Sequence, residues 1–148
     1  MSIEAKPAQS DEELLARFRA SKNRPKSSET LGFELIALNQ EERWVEIAFI
    51  ATPAFTNPTG RVQGGFLSAM LDEALSIAGQ VASGMTHIMS TLEMKTSYLS
   101  AALPGRLVAR GRVTRFGKSV VFLEGDLRDE SGKVCAIASA TALPVEFK

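Results

Sequence analysis

Two adjacent acids, Asp72 and Glu73, interrupt an apolar run that opens on the glycine pair Gly64–Gly65 in the stretch NPTGRVQGGFLSAMLDE, residues 57–73. A carboxylate in apolar surroundings is costly to bury unless it is paired, hydrogen-bonded or used in chemistry. Asp72 is a candidate nucleophile or general base, attacking a carbonyl carbon directly or activating a water, with Glu73 in reserve. A helix that starts at Gly64 presents unpaired N–H groups and a partial positive charge, with no side chain to keep a ligand off that backbone. Such a terminus stabilises the oxyanion of a carbonyl under attack. Plainer readings stand beside these. The glycines also permit close helix–sheet packing, and the two acids point about 100° apart on a helix, so one can be a surface acid.

Gly64 and Asp72 are eight residues apart, about 12 Å along a helix at about 1.5 Å per residue. Within one chain they cannot touch the same carbonyl. If both act, the helix N-terminus of one subunit meets the acid of another, and the site needs at least a dimer.

The elements that must position these residues follow from the hydrophobic pattern. The 148 residues, 45% of them apolar, fit one globular domain with a real core. Ser10 to Glu13, SDEE, has the form of a capping box and opens a short helix that ends near Lys22. The polar SKNRPKSSET that follows lacks periodicity and reads as a linker, which divides the chain into residues 1–29, helix and linker, and 30–148, the domain. LGFELIAL and RWVEIAFI form a hairpin, and four further strands are expected at 88–99, 106–115, 118–129 and 133–143. In these strands apolar and polar residues alternate, as in antiparallel sheets with one wet face. The helix from Gly64 to about Ala82 is apolar or small nearly all round, hence buried. One long helix, with two strands before it and four after, predicts an α+β fold whose sheet wraps around the helix.

That order is the hotdog order, and the residues agree. Asn57, the Q-G-G of residues 63–65, the acid seven positions further, TLEMKTSYL at 91–99 and the later SVVF at 119–122 resemble the hotdog thioesterases of the phenylacetate-degradation and 4-hydroxybenzoyl-CoA type. The resemblance covers about residues 30–145 and implies hydrolysis of acyl-CoA thioesters with no metal or other cofactor, in a homodimer often doubled into a homotetramer. It places the catalytic acid on Asp72, the oxyanion amide on Gly64, a carbonyl- or water-orienting amide on Asn57 and an assisting hydroxyl on Thr91. Gln63 stands where many relatives have histidine; its NH2 can donate to a thioester oxygen but cannot titrate. Asn57 before Pro58 is also an ordinary turn signal, and Thr91 an ordinary strand residue.

Around this centre, Gly65, Phe55, Phe66 and Met70 are expected to line the acyl site. Arg115 and Lys118, flanking a turn, are candidates for CoA phosphate. Arg106, Arg110 and Arg112 face Glu124, Asp126 and Arg128 on the neighbouring strand, so cross-strand ion pairs are expected there. His87, the single histidine, reads as a loop residue, and Cys135, the single cysteine, as a small core residue.

Lys+Arg and Asp+Glu both number 17, which gives no basic excess for nucleic acid or an anionic membrane. The absence of an apolar leader core in MSIEAKPAQSDEELLARF and of any uninterrupted apolar span places the chain in the cytoplasm as an expectation. Enoyl-CoA hydration on this fold uses a histidine five residues after the acid, where this chain has Ile77. A non-catalytic acyl-ligand or CoA-binding protein remains the alternative, because a fold alone does not establish activity.

Overall fold

The computed structural model describes residues 8–148. The reading of the leader falls partly on the first seven residues and to that extent lies outside them. Helix α1, Asp11–Ala20, is capped as its sequence requires, with the Glu13 N–H donating to Ser10 Oγ at 3.1 Å. The segment read as a linker contains a second helix, α2, Lys26–Leu31. Its six residues are too few for a periodic pattern, and Pro25 before it offers no side-chain cap. It stops at Gly32, which takes the left-handed conformation (φ 69°) that a helix C-terminus favours.

Strands β1 (Glu34–Asn39) and β2 (Trp44–Ala51) form the expected hairpin. Helix α3, Gly64–Ala82, follows, then β3 (His87–Tyr98), β4 (Gly105–Phe116), β5 (Val121–Arg128) and β6 (Val134–Glu146). All six strands lie in one antiparallel sheet of order β1-β2-β4-β5-β6-β3. This is the hotdog arrangement. His87 opens β3 rather than sitting in a loop, and its Nδ1 lies 2.7 Å from Thr86 Oγ1. Cys135 is fully buried. Among the described residues no helix is long and apolar enough to cross a membrane.

One side of α3 packs into the sheet. Leu67, Met70, Leu71, Ala74, Leu75 and Ala78 are all 3% exposed or less and repeat at helical spacing. The helix comes so close to the sheet that a Cβ on Gly111 in β4 would fall 2.6 Å from the Ala74 carbonyl oxygen. Gly111 therefore sits where only a glycine lets the two backbones meet. The opposite side of α3, with Ala69, Asp72, Glu73, Ser76, Ile77 and Gln80, faces a cavity whose other walls come mostly from the N-terminal segment, with Met85, Ile88 and Phe147. The expected sheet wrapped around a central helix is what is found, and the N-terminal segment lies along the side of α3 that carries the acids. Ala, Ser and Gly fit either environment, so the mostly apolar composition of α3 did not reveal that second neighbour.

Candidate active site

The approach to α3 is a tight loop organised by Asn57. Its Oδ1 accepts from the Thr59 N–H at 2.9 Å, the Thr59 hydroxyl at 2.6 Å and the Arg61 N–H at 3.3 Å. The side-chain oxygen thus serves the turn, which leaves only the NH2 for any other contact. The loop returns the chain so that the Gln63 N–H donates to the Phe55 carbonyl at 2.8 Å. Gln63 is the N-cap residue of α3 but its exposed side chain caps nothing, so it does not occupy the first N–H groups of the helix.

The two glycines differ. A Cβ on Gly65 would meet no atom within 4 Å, so its backbone faces open space. A Cβ on Gly64 would fall 2.9 Å from the Tyr98 ring. Tyr98 is held there by Ser68, whose Oγ lies 2.6 Å from the Tyr98 hydroxyl and donates to Thr96 Oγ1 at 3.0 Å. This clamp between the first turns of α3 and the end of β3 escaped the sequence reading. Its signal was Ser68 standing four residues after Gly64, on the same face of the helix.

Two turns further along α3, Asp72 Oδ1 accepts from the Thr91 hydroxyl at 2.8 Å. A bulge delivers Thr91. Counting alternate residues back from Thr96 would aim Leu92 at the helix, but the β3–β6 register shifts between Thr91 and Glu93 and turns Thr91 inward instead. Leu92, 58% exposed, points away. Glu73 turns to the other side, where it accepts a hydrogen bond from Ser28 of α2. Burial pushes its carboxyl up from the ordinary range and the neighbouring Asp72 charge adds to this, with the Ser28 hydrogen bond acting in opposition. Both acids are half-buried and each has its own hydroxyl partner, so neither is the free surface acid of the plainer reading.

Asp72 and Glu73 lie in the wall of a cavity of about 760 Å³ between the N-terminal segment and α3, within the size range of ligand pockets. Gly65, Phe55, Phe66 and Met70, expected to line the acyl site, are not among the residues lining this cavity. Met70 is fully buried on the sheet side of α3, and Phe55 is buried with its ring stacked on Phe66 at 4.2 Å. Within a single chain, the structure brings Thr91 to Asp72 and Ser28 to the neighbouring Glu73. It keeps Asn57, Gln63, Gly64 and Gly65 apart from them at the other end of an unbroken helical segment.

Arg115 and Lys118 are exposed beside the β4–β5 turn, and neither is ion-paired among the described residues. Arg112 pairs across strands with Glu124, as expected, while Arg110 turns to Glu46 of β2 at 3.5 Å and Arg128 to Asp126 of its own strand at 3.0 Å. Among the described residues no group of three or more His, Cys, Asp or Glu side chains could hold a metal ion.

Comparison with known proteins gives this geometry a family. A phenylacetic acid degradation-related protein of Ralstonia eutropha JMP134 superposes with a TM-score of 0.81 at 35% identity, over 87% of this chain and 98% of that one. The 1,4-dihydroxy-2-naphthoyl-CoA hydrolase of Listeria monocytogenes is 25% identical over 113 residues, 76% of this chain and 90% of its own. A Streptococcus mutans UA159 protein solved with acetyl CoA shares the fold, with a TM-score of 0.70 at 18% identity, over 86% of this chain and 96% of that one. The model of the thioesterase superfamily matches residues 59–136, just over half of the chain, from the loop before Gly64 to the start of β6, and the chain belongs to that superfamily.

Proposed function

We propose that the protein hydrolyses an acyl-CoA thioester to the free acid and CoA at a site shared by two subunits. The observation that carries this reading is the contact between Thr91 and Asp72. It holds one carboxylate oxygen and leaves Oδ2 without a hydrogen-bond partner among the described residues. Membership of the superfamily and the acyl-CoA hydrolase named among the relatives support the substrate class.

In the general-base route, Asp72 Oδ2 takes a proton from water as the water oxygen bonds to the thioester carbon. The carbonyl oxygen becomes an oxyanion, held by the Gly64 N–H of the other subunit and by the Gln63 NH2. As the tetrahedral species collapses, the C–S bond breaks and the CoA sulfur leaves with the electron pair and is protonated. In the nucleophilic route Asp72 itself bonds to the carbon, expels CoA thiolate and is released by water from the resulting anhydride. A single turnover in 18O-water identifies the second route when water attacks the aspartyl carbon of the anhydride, since label in the Asp72 carboxyl can arise in no other way. Neither route calls on a metal or cofactor, so chelator treatment leaves the rate unchanged.

The shared site requires a homodimer. Strand β3 ends the sheet with no strand on its outer side among the described residues, and Leu92, Tyr98 and Leu99 on and just after it are more than half exposed. A long bare edge of this kind is a template for pairing with another chain. A second doubling into a homotetramer is part of the same reading. A thiol-release assay over acyl- and aryl-CoAs, run with light scattering, tests it. Turnover by an oligomer supports the proposal, and an active monomer at micromolar concentration refutes the shared site. Inactivity on every thioester favours the non-catalytic binding protein.

A further inference from the structure

The N-terminal segment is fastened over the cavity at both ends. Leu14 of α1 enters the core, and Asp11 Oδ1 accepts from the Gln40 N–H at 3.1 Å and from Gln40 Nε2 at 2.9 Å. Between the helices Arg24 donates to the Phe33 carbonyl at 2.7 Å. Beyond it, Ser28, itself buried, donates to Glu73, the residue next to Asp72. The segment is a strap with its hydrogen-bonded end beside the reacting acid.

The cavity beneath it has a direction. Asp72, Ser76 and Gln80 line it on successive turns of α3, a run of about 12 Å at about 1.5 Å per residue. Phe18, Leu31, Phe33, Ile77 and Met85 supply its apolar wall. An acetyl group would leave most of its roughly 760 Å³ unfilled.

Resting on the thioesterase reading, we propose that this cavity takes a large apolar acyl group, extended from Asp72 toward Gln80. Ser28, acting through Glu73, is a positioning residue that holds the strap as the outer wall and so sets acyl preference. Glu73 gains little from water where it sits, and the Ser28 hydroxyl is the contact that favours its ionised form. Loss of that hydroxyl loosens the wall without touching the reacting atoms.

The test compares kcat/KM for acetyl-, octanoyl- and dodecanoyl-CoA in the wild type, Ser28→Ala, Ser28→Thr and Ile77→Phe, which narrows the cavity one turn past Asp72. The wild type prefers dodecanoyl-CoA. The dodecanoyl-to-acetyl ratio falls by about tenfold or more in Ser28→Ala and Ile77→Phe, the scale on which an apolar pocket discriminates, and Ser28→Thr restores it. An unchanged ratio in Ile77→Phe overturns the acyl assignment. Equal slowing of all substrates in Ser28→Ala reduces Ser28 to a structural role and overturns its part. If the wild type turns over no thioester, the functional reading fails and the cavity is judged by calorimetric titration with dodecanoate. Binding that Ile77→Phe abolishes then supports the cavity assignment, and no binding to the wild type overturns it.

Discussion

The two sides of α3 share nineteen residues and one backbone yet solve different problems. On the sheet side Met70, Leu71, Ala74 and Ala78 are fully buried, and Gly111 brings the β4 backbone against the helix. On the cavity side Asp72 and Glu73 are only half-buried, each held by a hydroxyl from a different element, β3 or α2. A side built for packing tolerates no polar atom and no void. A side built for chemistry keeps carboxylates partly desolvated and restrains them by single hydrogen bonds. Changes on the first therefore show in stability and changes on the second in turnover.

The sharpest way to break that division is a pair of variants one residue apart. Asp72→Asn is expected to keep the fold and the oligomer while lowering thioester turnover at least about a hundredfold, the scale of losing a general base or nucleophile. Leu71→Ala is expected to cost about 2–5 kcal/mol of folding stability, as core truncations do, and to leave kcat of the folded fraction near the wild-type value. Denaturant unfolding and the thiol-release assay on both variants decide the matter. A destabilised Asp72→Asn with near-normal turnover would move the acid role to Glu73.

How far this division could be read from the chain depends on the distance over which each signal acts. The α1 cap, the limits of α3 and the positions of the six strands along the chain rest on local pattern and were legible to within a few residues. Asp72 stood out because an acid in an apolar helix is locally anomalous. Helix α2 was hidden by its length, although Gly32 after Leu31 carried the stop signal. The aim of Thr91 depends on a bulge that breaks period two, and the partner of Glu73 lies 45 residues upstream, so no local pattern could reveal either.

A smaller effect is expected at Gln63, at the far end of the helix. Gln63→Ala should lose about 1–3 kcal/mol of transition-state stabilisation, as for one donor to a developing charge, with no new pH dependence. Gln63→His should remain active and add an inflection near pH about 6.5 to the rate profile. Unchanged kcat/KM in Gln63→Ala would place the side chain away from the carbonyl.

The smallest effect concerns stability on the cavity side. Because burial raises the Glu73 pKa in the folded protein, the native state holds this proton at pH values where the unfolded chain has released it. Its contribution to stability is full below the unfolded pKa and is lost as pH rises through the raised folded one. Glu73→Gln should therefore gain in Tm relative to the wild type as pH climbs from below the ordinary glutamate range to neutrality. A Tm difference that does not vary with pH would contradict the burial account.

The central claim, that one subunit's Gly64 serves another's Asp72, is tested most directly by complementation. Proline at Gly64 removes the N–H at the first helical position, where proline is tolerated, and displaces the half-exposed Tyr98 ring and its contact with Ser68, so pairing of the variant is checked by light scattering. Asp72→Asn and Gly64→Pro chains, each nearly inactive alone, are co-expressed with different tags and allowed to pair. Each mixed dimer then has one site with both groups intact, so random pairing restores roughly a quarter of wild-type activity, all of it in the doubly tagged fraction. No recovery in a doubly tagged dimer would contradict the shared site.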